Sequence, residues 1–300
     1  MTLLFRRGSG NRRRKKISQI QRKEPEQQSP QRKSDPRTPD PLNRRIINAL
    51  GSFVAALHFL SIIPFSGSFG TSEQELTRSV PFFPLVGLFF GCIALPMAWG
   101  LYMVLPPAVA AVLVVFLLLS FSGGLHLDGL ADTADGFFSA RPRERVLEIM
   151  RDSATGAMGV LALILLLALK IACLASMKQQ LALAVFLMPL AGRIAILLLM
   201  AVLPYARPEG GLGTLFQDSF ATRQAQLRAL AVMLVFSGMS WAAAGSQGLL
   251  AVFAVLFITG IFALFCRQKI GGITGDTLGA ACELAEATVA LVFVLKLGGV

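Results

Sequence analysis

Apolar residues run along most of this chain in blocks, at about 46–65, 82–105, 108–122, 157–177, 181–204, 229–244, 248–266 and 284–297. A helix that crosses a bilayer needs about 20 mostly apolar residues. The blocks 82–105, 157–177, 181–204 and 248–266 reach that length, 108–122 and 229–244 are marginal, and 284–297 is short. Between them lie two kinds of connection. Those at Pro106-Pro107, 178–180 and 245–247 are tight, whereas 66–81, 123–156, 205–228 and 267–283 are long, glycine-rich and charged. Pairing the blocks across the tight connections puts every long one on a single face. That face collects ten Lys and Arg, from Arg78 to Lys269, against only Lys178 on the other. The positive-inside rule makes the rich face cytoplasmic. If residues 1–45 and 66–81 are both inside, block 46–65 cannot cross. It carries His58, Ser61 and Pro64, which suit a re-entrant or interfacial segment. The pattern predicts an all-α, polytopic integral membrane bundle of about 6–7 transmembrane helices plus that N-terminal segment.

Composition agrees: 54% of the 300 residues are hydrophobic and 15% charged, where a soluble domain carries about 25% charged. The net charge of +11 is misleading, because residues 1–45 hold 14 Lys/Arg against 4 Asp/Glu. The remainder, 46–300, is nearly neutral and reads as a single transmembrane catalytic domain. The arm 1–45 is rich in Arg, Gln, Pro and Ser, which predicts a disordered basic cytoplasmic tail resting on anionic lipid. Nucleic acid is not an expected partner. Cys92, Cys173, Cys266 and Cys282 form no paired motif, and two histidines are too few for multi-His metal chemistry.

The informative stretch is Gly124-Leu125-His126-Leu127-Asp128-Gly129-Leu130-Ala131-Asp132-Thr133-Ala134-Asp135-Gly136. At about 100° per residue Asp128, Asp132 and Asp135 form one narrow stripe on a helix. Three like charges on one face repel, and a hard divalent cation such as magnesium or manganese relieves that repulsion. A solvated acidic face fits less well, since the flanks are apolar and small. Downstream, Glu144 and Arg143 read as surface pairing on a short helix, and Asp152 before Ser153 is a candidate fourth carboxylate. Lys170 and Arg193 sit inside apolar blocks, where an ionisable group is functional by default; they can neutralise phosphate or the carboxylates. Arg207 lies in a glycine-rich loop, and Gly271-Gly272-Ile273-Thr274-Gly275-Asp276-Thr277 precedes Glu283 and Glu286. Aspartates, a metal, cations and glycines together describe diphosphate chemistry.

At these residues the chain resembles the cobalamin synthase family, the adenosylcobinamide-GDP ribazoletransferases. The resemblance rests on 124–136, on Leu147-Glu148-Ile149-Met150-Arg151-Asp152-Ser153, on 205–213 and on 271–280, in that order along the body. It implies a bacterial inner-membrane enzyme with magnesium. Adenosylcobinamide-GDP and alpha-ribazole, or its 5'-phosphate, would give adenosylcobalamin, or its 5'-phosphate, and GMP. On that reading Asp128, Asp132 and Asp135 hold the metal, and Lys170, Arg193, Arg207 and Thr274 meet phosphate. Asp152 or Asp276 accepts the hydroxyl proton. His126 is a competing base or an orienting partner of a ligand, and Glu283 a further base or supporting carboxylate. The family's Phe-x-Thr-Arg-x-Pro is Phe59-Leu60-Ser61-Ile62-Ile63-Pro64 here, so its arginine is missing at Ile62 and Arg78 is the candidate substitute. The basic arm has no counterpart in the family. Two rivals stand beside this reading. A CDP-alcohol phosphotransferase would need an upstream Asp-Gly-x-x-Ala-Arg, absent from the apolar 108–122. An ion-coupled transporter would place its acids near the bilayer midplane.

Overall fold

The computed structural model describes residues 41–63, 70–177, 180–207, 215–216 and 221–295. Expectations about the arm up to residue 40, Pro64, Lys178 and 208–213 lie outside them. Among the described residues the chain is helical, with one isolated bridge between Tyr205 and Ile273. In order the helices are α1 (Pro41–Leu60), α2 (Glu73–Thr77), α3 (Phe83–Val104, entered through a 3-10 turn at Val80–Phe82), α4 (Pro107–Phe121) and α5 (Leu125–Phe137). There follow α6 (Arg143–Ile149), α7 (Ala157–Ser176), α8 (Leu181–Val202), α9 (Arg223–Ile270) and α10 (Gly275–Val294).

Five helical stretches are long and apolar enough to span a membrane: Val80–Val104, α7, α8, α9 and α10. The pair α4–α5 makes a sixth only if counted together, because it bends by 90°. Gly123 and Gly124 make that bend, with φ of +61° and +80°, a region side chains other than glycine's avoid. The bend turns α5 away from α4, so α5 belongs to the long connection and not to a span. α9 is two arms, broken at Gly245 (φ 55°, ψ −134°) where the sequence places a tight connection. Gly248 packs against the Ser240 carbonyl, so the arms fold back on each other.

Two boundaries differ from those expected. Helix α1 begins at Pro41, inside the stretch assigned to the arm, and its apolar part, Arg45–Leu60, falls short of a full span. The stretch 267–283, expected as a loop, is helical up to Ile270 and again from Gly275. Thr274 makes this possible: its Oγ1 accepts from Thr277 N while Thr277 Oγ1 accepts from Thr274 N.

The central element is α8, 83% buried along its apolar window against 28% for α7. α3, α9 and α10 pack around it. Polar ties show which connections share an end. Gln247 Nε2 donates to Val292 O, near the end of α10, and Gln180 Nε2 donates to Gln247 Oε1. At the other end of α10, Arg143 donates from Nε to Ile270 O and from Nη2 to Ala206 O. The tight connections at Gln180 and Gln247 thus meet one end of α10, and the long connections gather at the other.

Candidate active site

The acidic stripe is built by two helices that cross almost in contact. A Cβ on Gly129 would lie 2.7 Å from the carbonyl oxygen of Asp276, and one on Gly279 would lie 3.1 Å from Cα of His126. Only hydrogen at these two positions lets α5 and α10 approach so closely. The crossing brings Asp128 of α5 and Asp276 of α10 to the wall of one cavity. The two glycine-aspartate motifs, far apart in sequence, are neighbours.

Asp132 feels this crowding most. Burial, then Asp128, Asp276 and Asp135, push its carboxyl up to about 7, with Arg207 acting the other way. Asp276 is oriented by two donors, Arg207 Nη2 at 2.9 Å and Thr274 Oγ1 at 3.2 Å, both on Oδ2. Arg207 Nε is buried without a partner, which leaves its guanidinium a donor to spare.

Asp135, the third member of the stripe, is engaged elsewhere. Its Oδ2 accepts from Gly156 N at 2.6 Å and its Oδ1 from Gly159 N at 2.8 Å. It therefore caps the amino end of α7, satisfying amides that no helical carbonyl reaches. Among the described residues no group of three or more His, Cys, Asp or Glu converges as a ready metal cage.

Lys170 and Arg193 each meet carboxylates of α10, and Arg193 keeps its buried Nε unpartnered. Lys170 Nζ donates to Glu283 Oε2 at 2.6 Å and to Glu286 Oε2 at 2.9 Å, and Arg193 Nη1 donates to Glu286 Oε1 at 2.7 Å. All four side chains are buried. Two cations and two anions cancel, joining α7, α8 and α10 through charge-assisted bonds. Glu286, only noted in passing from sequence, is the residue that bonds both cations.

His126 is buried, its Nδ1 3.5 Å from Cys282 Sγ and its Nε2 unpartnered. Burial, with Arg193 and Lys170 nearby and Glu286 opposing, moves its imidazole down to about 3. So weak a base is a poor proton acceptor. Asp152 is exposed, lines neither cavity beside Asp128, and accepts from Ala154 N within its own turn. Arg143 was expected to be plain surface pairing. It instead ties α6 to the end of α9 and to the 205–207 segment. Ile62 N donates to Phe121 O at 3.0 Å, and Arg78 closes α2.

Two cavities border Asp128. One, of about 270 Å³, reaches from Asp128 and Asp276 into apolar side chains of α1, α3, α8 and α10. The other, of about 640 Å³ and more open, runs past Ser61, Ser122–Gly124 and Thr155. An acidic centre with a spare arginine, flanked by two cavities at one end of a helical bundle, defines a polytopic membrane enzyme. The chain belongs to the family described as Cobalamin-5-phosphate synthase, which it matches over residues 52–294. It is 41% identical over 244 residues to an adenosylcobinamide-GDP ribazoletransferase of Desulforamulus reducens, covering 81% of this chain and 95% of that one. It is 41% identical over 256 residues to the enzyme of that name from Klebsiella pneumoniae, covering 82% and 98%. A third, from Roseiflexus sp., is 41% identical over 77% of this chain and 84% of its own length. No solved structure matches.

Proposed function

We propose that this chain is an adenosylcobinamide-GDP ribazoletransferase of the plasma membrane, with the long connections on the cytoplasmic side. The observation that carries the reading is the meeting of Asp128 and Asp276 at one cavity wall beside Arg207. A ribose hydroxyl of alpha-ribazole, or of its 5'-phosphate, attacks the phosphorus bound to cobinamide, and GMP leaves. Asp276, held through Oδ2, keeps Oδ1 for the hydroxyl proton. Arg207, whose Nη2 already bonds Asp276, brings positive charge to the phosphoryl oxygens. Lys170, Arg193 and Glu283 act through the fold, holding α10 in the register that presents Asp276. Asp152 and His126 are not the acceptors in this reading.

Magnesium fits this donor set. It is usually held by one or two carboxylates plus substrate phosphates and water, not by a cage made of protein alone. The crowding that raises Asp132 toward neutrality is the repulsion such an ion relieves. Asp128 and Asp132 would hold it, and Asp135 would not. Bound there, the ion would offset charge on the diphosphate.

Detergent-purified protein with magnesium, adenosylcobinamide-GDP and alpha-ribazole should release GMP and form adenosylcobalamin. Absence of both products under conditions where a relative's enzyme turns over would overturn the reading.

A further inference from the structure

The smaller cavity has a chemically divided lining. Asp128 and Asp276 supply carboxylates, and most of the rest is hydrocarbon, from Ile196, Met200 and Leu278 together with three phenylalanine rings. Phe59 stacks on Phe83 at 5.8 Å, and Phe216 meets the two edge-on at 5.3 and 6.3 Å. Such an aromatic box selects a flat, apolar ring.

We propose that this cavity holds the dimethylbenzimidazole ring of the ribazole substrate, with the ribose beside Asp128 and Asp276. The proposal rests on the transferase reading above. Three ring systems enter the proposed reaction, and the cavity discriminates among them. The corrin macrocycle is several times too large for about 270 Å³. Guanine carries donors and acceptors around its edge, and these would be left unpaired among phenylalanine and leucine, losing their hydration with nothing in return. Dimethylbenzimidazole linked to ribose has two methyl groups and one ring nitrogen free to accept. His126 lines the same wall, and its Nε2 has no partner among the protein's own groups. In the tautomer that carries its proton on Nε2, this ring is the donor that acceptor needs. A base seated in the box aims the attached sugar outward, so its hydroxyl arrives beside Asp276 while the corrinoid diphosphate approaches from the open side of Asp128.

The test combines binding and turnover on the full chain with magnesium. Alpha-ribazole binding is followed by benzimidazole fluorescence, and kinetics are run against both substrates. Ile196→Phe narrows the box and Phe216→Ala removes one wall without adding bulk. Each should raise the Kd and KM for alpha-ribazole by about tenfold or more, the scale at which hydrophobic pockets discriminate. The KM for adenosylcobinamide-GDP should stay within about twofold. Ile196→Phe should also shift preference toward the benzimidazole riboside lacking both methyls, which a general loss of fold would not do. An indole riboside, without the free nitrogen, should bind the wild type less well and lose nothing further in His126→Phe. Equal KM increases for both substrates, an increase confined to the corrinoid, or no binding of alpha-ribazole by the wild type would overturn the placement. Binding lost on narrowing in a protein that never releases GMP would support the cavity assignment and sink only the transferase reading.

Discussion

Asp132 and Asp135 are three residues apart on one helix, yet their carboxylates do different work. Asp135 accepts two amides of the next helix, whereas Asp132 faces its own kind. Asp132→Asn or Asp128→Asn should therefore abolish GMP release and leave the protein folded in detergent, and EDTA should do the same to the wild type. Full activity in EDTA would refute the metal reading. Asp135→Asn should instead lower the thermal midpoint, since losing a cap of this kind costs about 0.5–2 kcal/mol. The acidity of Asp132 adds a pH test. Its folded value, about 7, lies above its ordinary 3.8. A carboxyl raised in this way favours the folded state at low pH, and that contribution is lost as the pH rises through 7. Without magnesium the thermal midpoint should fall as the pH rises from about 4 to about 7 and level off above that. Asp132→Asn should flatten the slope, and so should added magnesium, which competes with the proton.

Between elements, the buried quartet is the strongest tie. Glu286→Leu leaves Lys170 and Arg193 short of a partner, and removing one member of a buried pair typically costs about 3–5 kcal/mol. Exchanging a neutral couple, Lys170→Met with Glu283→Leu, should cost less than half as much, as read by thermal unfolding in detergent. If the double variant is the less stable, the quartet is not held together by charge balance. The quartet also shows where sequence reading stops. Block lengths and tight connections located α3, α7, α8 and the break in α9, because apolar length is a local property. Glycine-aspartate spacing also singled out Asp128 and Asp276, which the fold brings to the wall of one cavity. What a charge inside a span pairs with was not: Lys170 finds Glu283 over a separation of 113 residues, and no spacing rule reaches that far. The contacts of Asp135 were hidden for a related reason, since helical phase places it on the stripe but the amides it accepts belong to another helix. The start of α10 was hidden by Glu283 and Glu286, whose polarity shortened the apolar block until their buried partners became visible.

For the whole molecule, the polar ties at opposite ends of α10 define a topology that labelling can test. A cysteine replacing Arg141 should be protected from an impermeant thiol reagent in intact cells, and one replacing Ser246 should react. The reverse pattern would invert the proposed orientation without disturbing the bundle. The same ties bear on how the protein is made. Ribosomes add roughly 5–20 residues per second. Lys170 therefore emerges on the order of ten seconds before Glu283, which lies 113 residues later in the chain. During that interval a lysine is committed to an apolar segment with its counter-charge not yet synthesised, and an intramembrane charge of this kind is costly. The quartet closes only when α10 arrives with both glutamates. A chain stopped before Glu283 would carry two positive charges in apolar helices with neither carboxylate to answer them.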